Sequence, residues 1–203
     1  MAISLSAAKV APVSVNRLLP FMTGRMKERL TALPFVPSHA VIVLFEGRPV
    51  IGANGGDYSG NKAVLQQDCE RLRAEHPDCH FHPSGNAWPL PAVQAARLAG
   101  LGMIGLNGLL FAPGLGFALT IGAVLTDMPL PDGVPLGEND GYCSLCGECV
   151  RQCPNGAITY QDGERGFERA KCLAHLRQKE GAPLERPGYY GCDLCQNICP
   201  MNS

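Results

Sequence analysis

The apolar positions of this chain fall into two kinds of run. Residues 39–45 (HAVIVLF) and 116–126 (GFALTIGAVLT) are continuous and rich in β-branched side chains. Such runs predict strands buried on both faces, because a half-exposed strand would alternate apolar and polar residues. Residues 61–75 (NKAVLQQDCERLRAE) instead place Val64, Leu65, Cys69 and Leu72 on one face of a helix, with Asn61 as a candidate cap. Residues 91–101 (PAVQAARLAGL) predict a second helix, with Pro91 in its first turn and a glycine at its end. Residues 80–83 predict a short strand or loop edge, and residues 168–180 (ERAKCLAHLRQKE) a third helix. Strands and helices interleaved in this way predict an α/β or α+β layered fold.

Composition sharpens this picture in three places. With 203 residues, 46% apolar and 17% charged, the chain can build a core for one domain plus a small module. A net charge of −1 offers no basic excess for phosphate contacts, so charge gives nucleic-acid binding no support. Residues 1–15 lack a basic start followed by an unbroken hydrophobic stretch, so no signal peptide is expected. The run ending at Glu46 is too short to span a bilayer, and a cytoplasmic protein without membrane contact is expected. Residues 127–137, rich in proline and glycine, read as a linker or a wrapped loop.

Cysteine carries the chemistry. Eight of the ten cysteines lie between Cys143 and Cys199, whereas a disulfide scaffold spreads them through a shorter chain. Cys143, Cys146, Cys149 and Cys153-Pro154 form the run C-x2-C-x2-C-x3-C-P of two-cluster ferredoxins. Its first three thiolates wrap one [4Fe–4S] cubane, and its fourth ligates the other. Cys192, Cys195 and Cys199-Pro200 form a second run, one cysteine short. The crossing rule assigns Cys199 to the first cluster with Cys143, Cys146 and Cys149. The second then takes Cys153, Cys192, Cys195 and Cys172, the one cysteine left in the module. Two zinc knuckles could use the same thiolates, but zinc sites rarely end twice in C-x3-C-P. A core role beside Leu173 and Leu176 is the alternative for Cys172. Cys69 and Cys79 read as packing thiols, and His175 as a solvated helix residue.

At this point the sequence resembles the epoxyqueuosine reductases, relatives of the corrinoid-dependent reductive dehalogenases. The resemblance rests on GYYGCDLCQNICP, CSLCGECVRQCP and the Cys172 segment. It continues upstream in residues 99–107 (AGLGMIGLN), residues 122–130, Gly56-Asp57-Tyr58 and residues 38–44. It implies an α+β chain: a nitroreductase-like α/β sandwich over residues 1–137, then a ferredoxin-like bicluster module over residues 138–203. It also implies cobalamin held near one cluster, at Gly102, Met103, Ile104, Gly105, Asn107 and Tyr58. Reduction would draw on a low-potential donor of the ferredoxin or flavodoxin type. Three departures stand out. The family's proton-donating Asp falls at Asn86, whose amide donates hydrogen bonds but delivers no proton. The family's Lys is Leu106, and the chain is short. The alternatives are a carrier that reduces a corrinoid-protein partner, or the tRNA enzyme despite Asn86.

The remaining motifs read more quietly. Gly100, Gly102 and Gly105 spell G-x-G-x-x-G, but after a helix rather than a strand, so the dinucleotide test fails. Tight turns explain these glycines as well as ligand contact does. His80 and His82 alternate on one strand face, where an exposed edge is the preferred reading over a metal or cobalt ligand. Trp88 and Tyr58 could stack on a planar ligand, although single aromatics more often pack in a core. Residues 47–56 read as a glycine-rich loop with Arg48 solvated.

Overall fold

A computed structural model describes residues 3–47, 50–52, 55–136, 143–180 and 192–202. The elements begin with β1 (Lys9–Ser14), α1 (Val15–Leu18), α2 (Gly24–Thr31), β2 (His39–Glu46), β3 (Val50–Gly52) and β4 (Gly55–Asp57). Then come α3 (Ser59–Glu75), β5 (Phe81–Ser84), α4 (Ala92–Leu98), β6 (Met103–Ile104), β7 (Leu110–Phe111) and β8 (Leu119–Thr126). The last are α5 (Glu148–Arg151), β9 (Ile158–Gln161), β10 (Glu164–Phe167), α6 (Leu173–Glu180) and α7 (Leu194–Asn197). The chain divides into two compact units. The first holds Met1–Glu46, Tyr58–Gly102 and Leu119–Leu136; the second holds Gly47–Asp57, Met103–Ala118 and Gly137–Ser203. Among the described residues, no helix is long and apolar enough to cross a membrane.

The first unit is built on a four-stranded antiparallel sheet in the order β1-β2-β8-β5. The two predicted strands pair, from His39 opposite Thr126 to Glu46 opposite Leu119. Their unbroken apolar pattern has a direct cause, since both faces of the sheet are covered. Val41, Val43 and Val124 pack with Leu65, Cys69 and Leu72 of α3. The alternate residues Ala40, Ile42 and Leu44 are also fully buried, on the side where α4 packs.

Boundaries moved where backbone hydrogen bonding outweighed composition. Helix α3 starts at Ser59, and its first bond runs from the Lys62 N–H to the Tyr58 carbonyl (2.9 Å). Asn61 therefore lies inside the first turn and caps nothing; N–H groups there lack partners anyway, so Ser-Gly-Asn is tolerated. Strand β8 starts at Leu119, because Gly116 (φ +62°) closes a turn onto Ala112. The edge strand β1 carries Pro12, which only an edge or bulge accommodates.

The proline-rich loop is wrapped around the first unit as far as Leu136; its last residue, Gly137, lies outside the described residues. The Gly133 N–H donates to the Pro12 carbonyl (2.8 Å), and Arg17 pairs with Asp132 (3.6 Å). Helix α4 ends in a Schellman motif: the Gly100 N–H donates to Arg97 and the Leu101 N–H to Ala96, both at 3.0 Å. Gly100 sits at φ +81°, and a Cβ there would lie 2.0 Å from the Val134 carbonyl oxygen. A Cβ on Gly133 would lie 2.2 Å from the Ala99 carbonyl oxygen. Helix end and loop thus touch backbone to backbone, and Gly100 is a packing glycine.

The second unit is assembled from short pieces. Strands β3 and β4 form an antiparallel pair inside the stretch read above as loop; Arg48 lies outside the described residues. Strands β6 and β7 pair across a turn closed by the Gly105 N–H bond to the Leu109 carbonyl (3.0 Å). Strands β9 and β10 form a hairpin on Asp162 (φ +53°) and Gly163 (φ +81°). Two successive positive φ values are what a type I′ turn needs, and Asp-Gly is its usual pair. The predicted third helix is broken. Arg169–Lys171 form a 3₁₀ turn, Cys172 is extended (ψ 118°), and α6 follows.

Candidate metal centre

The cysteine run of residues 143–153 is shaped by two left-handed positions. Leu145 (φ +54°) and Gly147 (φ +77°) curl the chain around Cys146 before α5 starts. The Val150 and Arg151 N–H groups both donate to the Gly147 carbonyl (3.0 Å each). Past the helix, the Cys153 Sγ accepts the Ala157 N–H (3.2 Å). The Asn155 amide donates to the Lys171 carbonyl (3.0 Å), which draws the Cys153 loop toward Cys172. The break before α6 frees Cys172 from a helical surface and lets its thiol join the others. In the second run, the Gln196 and Asn197 N–H groups bond the Asp193 carbonyl and set Cys195 on α7. Gly191 lies outside the described residues.

The eight thiols gather around Cys149 and Cys195. Burial pushes the Cys149 thiol up, and the thiols of Cys143, Cys146 and Cys199 add to the effect. Burial also pushes Cys195 up to about 12, with added repulsion from Cys192, Cys149, Cys172 and Cys153. So many thiols this close resist ionising together, and bound cations would reverse that. Cys143, Cys146, Cys149, Cys195 and Cys199 line one hollow, walled on its other side by Leu106, Asn107, Phe117 and Met201. Five thiols standing around one cavity suit a polynuclear cluster.

The other candidates sit elsewhere. Gly105 and Asn107 line the thiol hollow, while Met103 and Ile104 form β6. Gly102 ends a segment of the first unit. Tyr58 and Asn86 line a separate cleft in the first unit, of about 360 Å³, with Ser59, Lys62, His82, Ser84, Gly85 and Trp88. The Asn86 side-chain Oδ1 accepts the Trp88 N–H (3.2 Å), and the Ser84 hydroxyl donates to the Trp88 backbone carbonyl (2.8 Å). Trp88 is 40% exposed, with the Arg25 guanidinium 5.8 Å from its ring centre. It is a surface residue, not a core one. His82 lines the cleft, whereas His80 precedes β5, bonds Asp127 (2.7 Å) and stacks on Phe35 (5.2 Å). Burial would raise the Asp127 pKa, but the bonds from His80 outweigh it and hold it below the usual carboxylate value. Cys69 is fully buried on α3, and Cys79 packs against the same core. His175 accepts a bond from Arg169 (3.3 Å).

Comparison with known proteins now adds identity. Residues 142–202 match the family model of a 4Fe-4S double cluster binding domain. Epoxyqueuosine reductase from Escherichia coli K12 is 33% identical over 207 aligned residues, 92% of this chain. The chain is a homologue of the epoxyqueuosine reductases. It spans about half the length of that relative, 50%. Epoxyqueuosine reductase from Bacillus subtilis shares its fold, with a TM-score of 0.71 and 19% identity over 97% of this chain and 62% of that one. A reductive dehalogenase, whose structure was used to infer a B12-dependent mechanism, matches with a TM-score of 0.64 and 18% identity. That match covers 98% of this chain and 30% of the dehalogenase. The epoxyqueuosine reductase homologue thus pairs a mixed α/β fold of this type with a double-cluster domain.

Proposed function

We propose that this chain is an iron–sulfur reductase, or the electron-carrying part of one. Cys143, Cys146, Cys149 and Cys199 hold one [4Fe–4S] cluster, and Cys153, Cys172, Cys192 and Cys195 the other. The observation that carries the reading is the thiol grouping. The neighbours of Cys149 are the other three members of one set. Those of Cys195 are the other three of the second set, plus Cys149 from the first. When bound, such clusters supply electrons one at a time. Cys146 is the exposed thiol of the eight, and its loop faces a low-potential donor of the ferredoxin or flavodoxin type. The setting is cytoplasmic, where thiols stay reduced. We read the first part as a nitroreductase-like sandwich and residues 138–203 as a ferredoxin-like module.

The acceptor is a bound corrinoid. Cobalamin titration tests this: a base-off spectrum on mixing supports it, and an unchanged spectrum at high protein concentration refutes it. One observation favours a second reading, a carrier that reduces a corrinoid-protein partner. Asn86 holds the place of the family's acid, and its oxygen is committed to the Trp88 N–H. In that case Asn86→Asp leaves electron transfer to the partner unchanged; in the enzyme reading it raises turnover.

A further inference from the structure

Asn107 is 5% exposed and spends both ends of its amide on backbone groups. Its oxygen accepts the Leu109 N–H (3.2 Å), a bond local to the turn after β6. Its nitrogen donates to the Cys195 carbonyl (3.3 Å), 88 residues away. The turn itself needs only the first bond. Asn202 adds a second tie, through its side-chain oxygen and its own backbone N–H. The Asn202 oxygen accepts the Phe117 N–H (3.0 Å), while the Asn202 N–H bonds the Cys199 carbonyl (3.0 Å). Residues 103–118 are thereby tied to the backbone of two of the cysteines of the second run, without using any thiol. Asn107 also lines the hollow beside Cys149 and Cys199, so its polar amide contributes to the dielectric around them.

We propose that Asn107 is a positioning residue for the cluster ligands, fixing the Cys195 backbone and setting the potential of the cluster in the adjoining hollow. This rests on the two-cluster reading above. The physical cause is general: a cluster's potential follows the polarity, hydrogen bonding and solvent exposure around its sulfurs. A reduced cluster carries one more negative charge, so a less polar wall disfavours it and entering water favours it.

The test is a redox titration of anaerobically reconstituted holoprotein, followed by electron paramagnetic resonance. Asn107→Leu, similar in size but apolar, lowers one midpoint potential and moves the other less. Asn107→Ser, too short to reach Cys195, opens the hollow to water and raises the same midpoint. Opposite signs on one cluster are what a loss of stability alone would not produce. Unmoved midpoints in both variants, or shifts of the same sign, overturn the proposal. Should Asn107→Leu fail to fold, Asn107→Ser decides alone: a rise supports the role, and no change or a fall refutes it. Iron is counted in the same samples. About four irons in the wild type would overturn the two-cluster reading itself, whereas about eight with unmoved potentials overturn only the role of Asn107.

Discussion

Substituting Gly100 by alanine should destabilise the first unit severely, for two separable reasons. At φ +81° an L-residue pays the left-handed penalty, about 1–2 kcal/mol. Its Cβ would also stand 2.0 Å from the Val134 carbonyl oxygen. Ordinary contact is about 3.5 Å, so the α4 end and the wrapped loop must part by roughly 1.5 Å. Overpacking of that kind costs about 1–3 kcal/mol. Together the loss is about 3 kcal/mol. Gly133→Ala meets the Ala99 carbonyl at 2.2 Å, but Gly133 is not among the positive-φ positions, so only the steric part applies. Because both substitutions pry open one contact, the double variant should lose less than the sum. Trp88 is the single tryptophan and belongs to this unit, so its fluorescence in urea reads the transition. With a slope of about 2 kcal/mol/M, Gly100→Ala lowers the midpoint by about 1.5 M. A midpoint within about 0.3 M of wild type would refute the packing role.

Further expectations concern titration and the cysteines. Burial, aided by the charges of Lys62 and Arg73, holds His82 below its ordinary 6.5. The unfolded chain therefore takes up the proton first. Stability is full above pH 6.5 and falls as pH drops below it, and His82→Gln should flatten that slope in urea titrations read at several pH values. Cys172→Ser should remove one cluster and leave about half the iron, while Cys69→Ser leaves the iron count unchanged. Cys69 itself, fully buried with its thiol pushed up to about 11, should resist iodoacetamide until the protein unfolds, as mass spectrometry of alkylated peptides would show.

The legible parts of this molecule were those in which a pattern has one physical solution. A run such as AVIVL, too short for a buried helix and rich in β-branched residues, reads as a strand covered on both faces, and β2 is that strand. Helix α3 was legible because Leu65, Cys69 and Leu72 recur at helical spacing. The cysteine spacing was legible as cluster chemistry because three thiols on one tight loop leave few alternatives. What stayed hidden depends on distant partners. Strand β1 carries Pro12, which argues against a strand until its edge position is known. The hairpin of β9 and β10 carried an Asp-Gly signal that sequence reasoning passed over. Cys172 sits at a break that helix periodicity does not reveal. Gly100 meets Val134, and Asn107 meets Cys195, through contacts that no local pattern encodes.

The central claim is that the cysteines hold two four-iron clusters, and counting iron and acid-labile sulfide after anaerobic reconstitution tests it most directly. The account predicts about eight of each per chain, with both clusters reducible. A plateau near four, or tight binding of zinc in place of iron, would contradict it.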